Sequence, residues 1–530
     1  MPILSLSLRR GALVTMLLAA ACAGAGTQAE TGGSPESGAP GLSATEAAAT
    51  ITPEDMHDRI AILAADSMGG RDTPSPGLEM TAAYLADEFR SFGLEPAGED
   101  GTYLQRYPLP LRALDTTGVH FGTVNAQGED NRMLEHGVDF FAAPATARPG
   151  VDMYHGRFAW VGRVGEDGLP AANYEGAVVM VSLPGAFDRD WRIGATRARQ
   201  AAERAGAAAL LVVLGPELPA NAIGSLAELS TRPQRALVQS DEIPAFYVTR
   251  DAAEKIVEQE GTTLDALPES PAEPVVFQNV RAHFAAEATI MEDDNPPNVV
   301  ALLPGSDPQL RDTYVVFSAH MDHVGIGEAD ASGDSIYNGA DDDASGTSAL
   351  VEVAQAFAVL ARPPDRSLIF LAVSGEEKGL LGSLWFSEHP TVPIEDIVAD
   401  INVDMIGRNA ADSIVVIGQE YSSLGPLVQR VAAEHPQLGL TVAPDQWPEE
   451  RFFFRSDHFS FARLEIPALF FFAGVHEDYH RPSDEVEKID SEKAARVARL
   501  IFYTANAIAG AEEPPRWTAE GLAEVRALTR

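Results

Sequence analysis

The chain has 530 residues, 45% hydrophobic and 22% charged, the balance of a soluble globular protein with material for two or three domains. Its 78 acidic residues against 38 basic ones give a net charge of −40, which argues against a nucleic-acid partner and for a well-solvated surface or a bias toward cationic peptides. One cysteine, Cys22, excludes an intramolecular disulfide and a thiolate metal site, so any metal must rest on His, Asp and Glu.

The first elements read as an export signal over residues 1–22. Arg9 and Arg10 form a basic start, and Gly11 to Ala21 is an apolar stretch shorter than the roughly 20 residues of a spanning helix. Leu18-Ala19-Ala20-Ala21-Cys22 resembles a bacterial lipobox, whose cysteine takes the lipid. Ala19 stands where a large aliphatic residue is usual, so plain secretion with cleavage near Ala23 is the alternative. Either way the protein is expected to be exported, as a periplasmic or outer-membrane lipoprotein anchored through Cys22 or as a secreted protein. No later segment reads as a transmembrane span. Residues 23–50, rich in Ala, Gly, Ser, Thr and Glu, read as a flexible tether.

Residues 51–124 open with Thr52-Pro53-Glu54-Asp55, a helix start with Pro at its first position. A second helix is expected from about Leu78 to Phe92, stopped by Gly93, with Pro74 and Pro76 in the loop between. Residues 125–275 have another texture: strand Ala177 to Leu183, helix Ala195 to Ala205, strand Ala209 to Leu214, and a further strand over Ile243 to Val248. Strand, helix and strand predict a parallel crossover. The segment holds no catalytic cluster, and its AAERAGAAALLVV and IPAFYV stretches resemble a protease-associated (PA) domain, usually a lid or interaction module.

Over residues 276–512 apolar strands alternate with helices. Strands fall at Tyr314 to Ala319, Ser367 to Val373, Ile397 to Val403 and Ala468 to Phe472, with helices at Thr347 to Leu360 and Ser491 to Ile508. This pattern predicts an α/β fold: a doubly wound, mostly parallel-centred sheet with the smaller PA-like domain inserted into it. Residues 513–530 read as a C-terminal tail.

Ligands bind beyond the carboxyl ends of such strands, and five segments put an acid or histidine there: His320-Met321-Asp322, Gly339 to Gly346, Gly375-Glu376-Glu377, Val403-Asp404-Met405 and Tyr479-His480. Singly, each has an ordinary explanation, such as a hydrogen-bonded histidine or the Asp341–Asp343 run capping a helix. Together, carboxylates crowded on one sheet edge repel unless a cation sits among them. Two histidines and three carboxylates suit zinc; calcium is disfavoured by the histidines and by the missing EF-hand spacing.

The motifs SAHMDH, GADDDASG, SGEEKGLLGS, NVDMIG and DYHRPSDE, in this order, resemble the M28 family of dinuclear zinc exopeptidases, with LAADSMGGRDTPSPG and FGLEPAG fitting as well. The resemblance implies a phosphorylase/hydrolase-like zinc exopeptidase fold and two Zn2+ per chain. Asp342 would bridge both ions, His320 and Asp404 would complete one, and Glu377 and His480 the other. Glu376 would be the general base, and Asp322 would hydrogen-bond the back of His320. The Asp342–Asp343 peptide is often cis in the family. A hydroxide on the metals would attack a peptide carbonyl. Arg455 and Tyr479 are candidate substrate contacts; His458 reads first as structural and second as a substrate contact; His323 reads as supporting or loop; Phe452, Phe453 and Phe454 read equally as specificity pocket or core. The leading expectation is an aminopeptidase acting on peptides, with a carboxypeptidase on the same metal shell as the alternative. A glutaminyl-cyclase-like enzyme with a single zinc and a non-catalytic binding module are remoter.

Overall fold

The computed structural model describes residues 41–530 apart from 126, 148–152, 166–167, 184–188, 216–219, 238–242 and 529–530. The expected export signal, Cys22 and residues 23–40 of the expected tether lie outside the described residues. Among the described residues no helix is long and apolar enough to cross a membrane.

Four apolar strands, Ser367–Val373, Tyr314–His320, Ile397–Val403 and Ala468–Phe472, lie side by side in that order, each parallel to the next. Antiparallel strands flank them: Pro297–Leu303 beside the first and Ser413–Ile417 beside the last. The central strands are apolar almost throughout because both faces are covered. Val315, Phe317 and Ala319 enter a core with Met56, Phe357 and Phe502, whereas Val316 points the other way, to Phe386 and Phe461. Helices Ala344–Ala358 and Ser491–Ala509 cover the first face; Leu381–Glu388 and the short His458–Ala462 cover the second.

Toward the N-terminus, Thr52 caps Pro53–Leu63 by accepting from the Asp55 N–H. The next helix begins earlier than its apolar spacing predicts. Ser75 caps Pro76–Ser91, so Pro76 starts the helix instead of interrupting a loop. The tether also ends sooner than its composition predicts. Ser43 and Glu46 form a capping box on Ala44–Ala49, and Ala47, Ala48 and Ile51 are buried in the main core. Alanines there serve close packing, which composition alone reads as flexibility. The C-terminal tail is likewise structured: helix Ala519–Leu528 buries Val525, and Arg526 pairs with Glu465.

A second nine-stranded sheet is built from the middle of the chain. The expected crossover is present: Val178–Ser182 and Ala209–Val213 are parallel neighbours with helix Arg189–Arg204 between them in sequence, and Ala245–Val248 continues the parallel block. This sheet extends beyond 125–275. Its two longest strands, Leu111–Asn125 and Val275–Glu292, pair antiparallel on one side of the parallel block. Their polar and small residues, such as Thr117, Gln278 and Asn279, belong to faces left open to water and disguise them as loop in the sequence.

The segment enters and leaves at one place, with Leu111 opposite Glu292 in the ladder. Arg235 forks onto Glu292 and Asp294 there. Tyr107, Leu109 and Leu237 pack against Leu381, Leu384 and Trp385 of the helix that follows Glu376-Glu377.

Candidate metal centre and active site

The parallel strands deliver their side chains to one sheet edge. His320 ends its strand, Glu376 and Glu377 follow Val373 closely, Asp404 follows Val403, and His480 lies in the loop after Phe472. Asp342 immediately precedes Asp343, the N-cap of helix Ala344–Ala358, and the Asp342–Asp343 peptide is cis. Met405 and His480 hold left-handed φ values of 57° and 55°, conformations that L-residues concentrate at functional sites.

Asp342 is the centre of the arrangement. Its Oδ1 lies 3.2 Å from His320 Nε2 and its Oδ2 lies 3.1 Å from His480 Nε2. Beyond His320, Asp404 Oδ1 is 3.6 Å away; beyond His480, Glu377 Oε2 is 3.0 Å away. The five expected ligand positions thus meet as two groups that share one carboxylate.

Two further residues reach these groups. His323 Nδ1 lies 2.8 Å from Glu377 Oε1, as a supporting residue would, and 3.6 Å from Asp342 Oδ2. Asp343 falls with His320 and Asp404, but its Oδ1 is occupied by the N–H groups of Gly346 and Met405.

Asp342 Oδ2, Asp404 Oδ1 and His480 Nε2 are buried without hydrogen-bond partners. Such atoms are rare unless something absent from the polypeptide satisfies them. The orphaned atoms, the shared carboxylate and the mixed nitrogen–oxygen donor set fit divalent metal of the zinc type.

The electrostatics agree. Burial pushes up the carboxyls of Asp404 and Glu376. Burial would raise Asp342 too, yet His323, His320 and His480 hold it well below the ordinary carboxylate range. Burial lowers His480, but Asp342 and Glu377 outweigh it and raise the imidazole to about 10. Without cations, protons on histidine do the neutralising, and metal must displace them.

Asp322 departs from expectation in detail. His320 Nδ1 is 3.2 Å from the Asp322 carbonyl oxygen and 3.7 Å from its carboxylate. That carboxylate instead accepts from Thr73 Oγ1 at 2.9 Å and from the Glu376 N–H at 2.7 Å. One residue therefore orients His320 through its main chain and Glu376 through its side chain, because the strand-end turn brings both within reach.

Arg71, which no sequence argument singled out, is buried beneath the site. Its guanidinium donates to the carbonyls of Leu63, Met321, Asn338 and Gly339, tying the two loops that carry His320 and Asp342 to the N-terminal segment. The only sequence signal was the Gly-Gly-Arg triplet, whose three residues all adopt positive φ. Asp484 accepts the Asp341 and Asp342 N–H groups from another side.

A cavity opens over His320, Asp342, Glu376 and Asp404, walled by Met405, Phe452, Phe470, Phe472, Val475, Tyr479 and Arg455. Tyr479 stacks on the His480 ring with centroids 3.9 Å apart. Two of the three candidate substrate contacts, Arg455 and Tyr479, reach this cavity. His458 does not: it is fully buried between Phe453 and Phe470, where burial lowers its pKa to about 3 and keeps it neutral. Its place at the start of helix His458–Ala462 turns it inward. Of the three phenylalanines, Phe452 lines the cavity, Phe453 is core, and Phe454 packs on Phe459.

Residues 298–505 match the model of Peptidase family M28. A "Probable zinc metalloprotease" of Pyrenophora teres f. teres is 36% identical over 118 residues, covering 22% of this chain and 24% of that protein. Aminopeptidase YwaD of Bacillus subtilis is 28% identical over 191 residues, covering 34% of this chain and 39% of that protein. The chain thus spans well under two thirds of these relatives. The solved aminopeptidase from Aneurinibacillus sp. strain AM-1 aligns at 18% identity and a TM-score of 0.46, over 90% of this chain and 97% of that one.

Proposed function

We propose that the protein is a zinc-dependent aminopeptidase that removes N-terminal residues from peptides. The observation that carries this reading is Asp342, set between two histidine–carboxylate groups at the floor of a cavity walled by acidic groups and aromatic rings. His320 and Asp404 would hold one ion, Glu377 and His480 the other, with Asp342 shared. The ions, when bound, supply Lewis-acid polarisation of a carbonyl and acidification of water.

The protein's own residues do the rest. Glu376, on the cavity wall with its backbone fixed by Asp322, takes a proton from the attacking water and passes it to the nitrogen of the leaving amine. Asp404, Asp342 and Glu376 make that part of the wall acidic, which favours a free amino terminus. Met405, Phe452, Phe470 and Phe472 offer apolar surface to the side chain of the first residue. The 111–292 segment, with its parallel crossover, fits the role of a PA-type module beside the site. The N-terminal signal supports export, and the intact mass of the mature chain would show whether Cys22 carries lipid.

Hydrolysis of paired substrates tests the activity, one set with a free N-terminus and blocked C-terminus, the other the reverse, with zinc counted on the same sample. Turnover of the first set, abolished by chelator and accompanied by about two zincs per chain, as a shared-carboxylate site requires, supports the reading. Turnover of the second set alone makes the enzyme a carboxypeptidase. No turnover and no bound zinc overturns it.

A further inference from the structure

Arg455 supplies the only guanidinium or ammonium on the cavity wall among the described residues. It sits four residues after Arg451, a residue of left-handed φ that places the Phe452–Phe454 turn, and its side chain is 23% exposed. Its guanidinium lies 4.6 Å from the centroid of the Phe452 ring, which itself lines the cavity. Stacking on an aromatic face fixes the plane of the group and leaves its edges available. Among the described residues its ion-pair partner is Glu450, with Oε2 3.4 Å from Nη1, and Glu450 is 60% exposed. An exposed partner at that distance contributes little and occupies one end of a fork that carries five N–H donors.

The surroundings make this cation unusual. The chain has a net charge of −40, and the same cavity exposes His320, Asp342, Glu376 and Asp404. A substrate that brought a carboxylate into such a cavity would meet repulsion from those acids. An oriented guanidinium whose remaining donors have no acceptor among the described residues reverses this locally, and its geometry matches a carboxylate bidentately. The cavity therefore presents acid groups to a substrate amine and a guanidinium to a substrate anion, with apolar rings alongside.

We infer that Arg455 is a specificity-determining residue that receives a carboxylate of the substrate. This inference rests on the aminopeptidase reading. The carboxylate has two sources: the side chain of an acidic first residue, or the free α-carboxylate of a dipeptide. Both present the same planar anion to Arg455.

Two matched substrate pairs separate the sources. Leu-Gly against Leu-Gly-amide varies only the α-carboxylate, and Glu-p-nitroanilide against Gln-p-nitroanilide varies only the side-chain charge. In Arg455→Met, which keeps an apolar stem over Phe452, the charged-to-neutral ratio of kcat/KM is expected to fall about 10- to 100-fold for one pair, as loss of a charge-assisted hydrogen bond implies. The loss should appear in KM more than in kcat, and Arg455→Lys should recover part of it. The pair that responds identifies the source. Calorimetric binding of the same pairs to the zinc-loaded wild type and variant gives a readout independent of turnover. If nothing is hydrolysed but the charged member binds through Arg455, the aminopeptidase reading fails and the carboxylate site stands. If charged and neutral members respond alike in both assays, Arg455 only covers Phe452 and the inference is overturned.

Discussion

In both sheets a block of four parallel strands is flanked by antiparallel ones: Ser367–Val373 to Ala468–Phe472 in one, Tyr154–Arg163 to Ala245–Val248 in the other. Both have hydrophobic cores on their two faces. What differs is the residues that follow the strands. In the first sheet the strands end at or run into His320, Glu376, Glu377 and Asp404. In the second they run into Val164, Leu183 and Leu214, all buried. The parallel edge offers a place for chemistry in both sheets, and among the described residues only the first is equipped for it.

The sharpest way to break this comparison is to remove the shared carboxylate. Asp342→Ala should lose both metal and peptidase activity to background, measured as zinc content after dialysis beside turnover. Glu376→Gln should keep its zinc and lose about 10²- to 10⁴-fold in kcat, the usual worth of general acid–base help. Full activity with zinc retained in either variant would show that the edge does not work as assigned.

Next in size is Arg71→Met, which leaves four buried carbonyls without their donor. Leaving a buried acceptor without its donor costs about 1–3 kcal/mol, read in denaturant unfolding. Zinc affinity should weaken about 10- to 100-fold, as for other groups that orient metal ligands. A smaller, graded effect is expected from pH. His480, raised to about 10 in the metal-free site, must give up its proton to bind metal. Zinc affinity should therefore rise with pH across the neutral range and level off only above that value. Titration calorimetry in buffers of different ionisation enthalpy should register proton release. The smallest effect belongs to the second sheet. His155 and His283 face each other across its strands, yet replacing both with alanine should leave kcat within about twofold, since they lie on strand interiors and not at a catalytic edge. A large loss there would mean that the two sheets cooperate in the chemistry.

Much of this contrast was legible in the sequence. Apolar runs that end in His320, Asp404 or the Glu376-Glu377 pair announce both a buried parallel strand and the residue it presents. What stayed hidden depends on three-dimensional neighbours. Arg71 looks like any arginine in a Gly-rich turn, and only folding sets it beneath two distant loops. For His458 a structural and a substrate-contact reading both stood open, because nothing local shows that Phe453 and Phe470 will enclose it. The strands Leu111–Asn125 and Val275–Glu292 escaped because a strand open to water on one face carries polar residues that resemble loop.

The pairing of Leu111 with Glu292 has a practical meaning for protein engineering. Residues that face each other across an antiparallel ladder have Cα atoms about 4.5–5.5 Å apart, a gap that a short hairpin turn can close. A shortened gene that joins Leu111 to Glu292 in this way would retain His320, Asp342, Glu376, Glu377, Asp404 and His480 in their original order. It would uncover Leu381, Leu384 and Trp385 where Leu237 had packed, and polar replacements there would be needed for solubility. The same junction could accept a foreign domain in place of the native one, since a guest whose termini lie side by side would enter and leave through a single point.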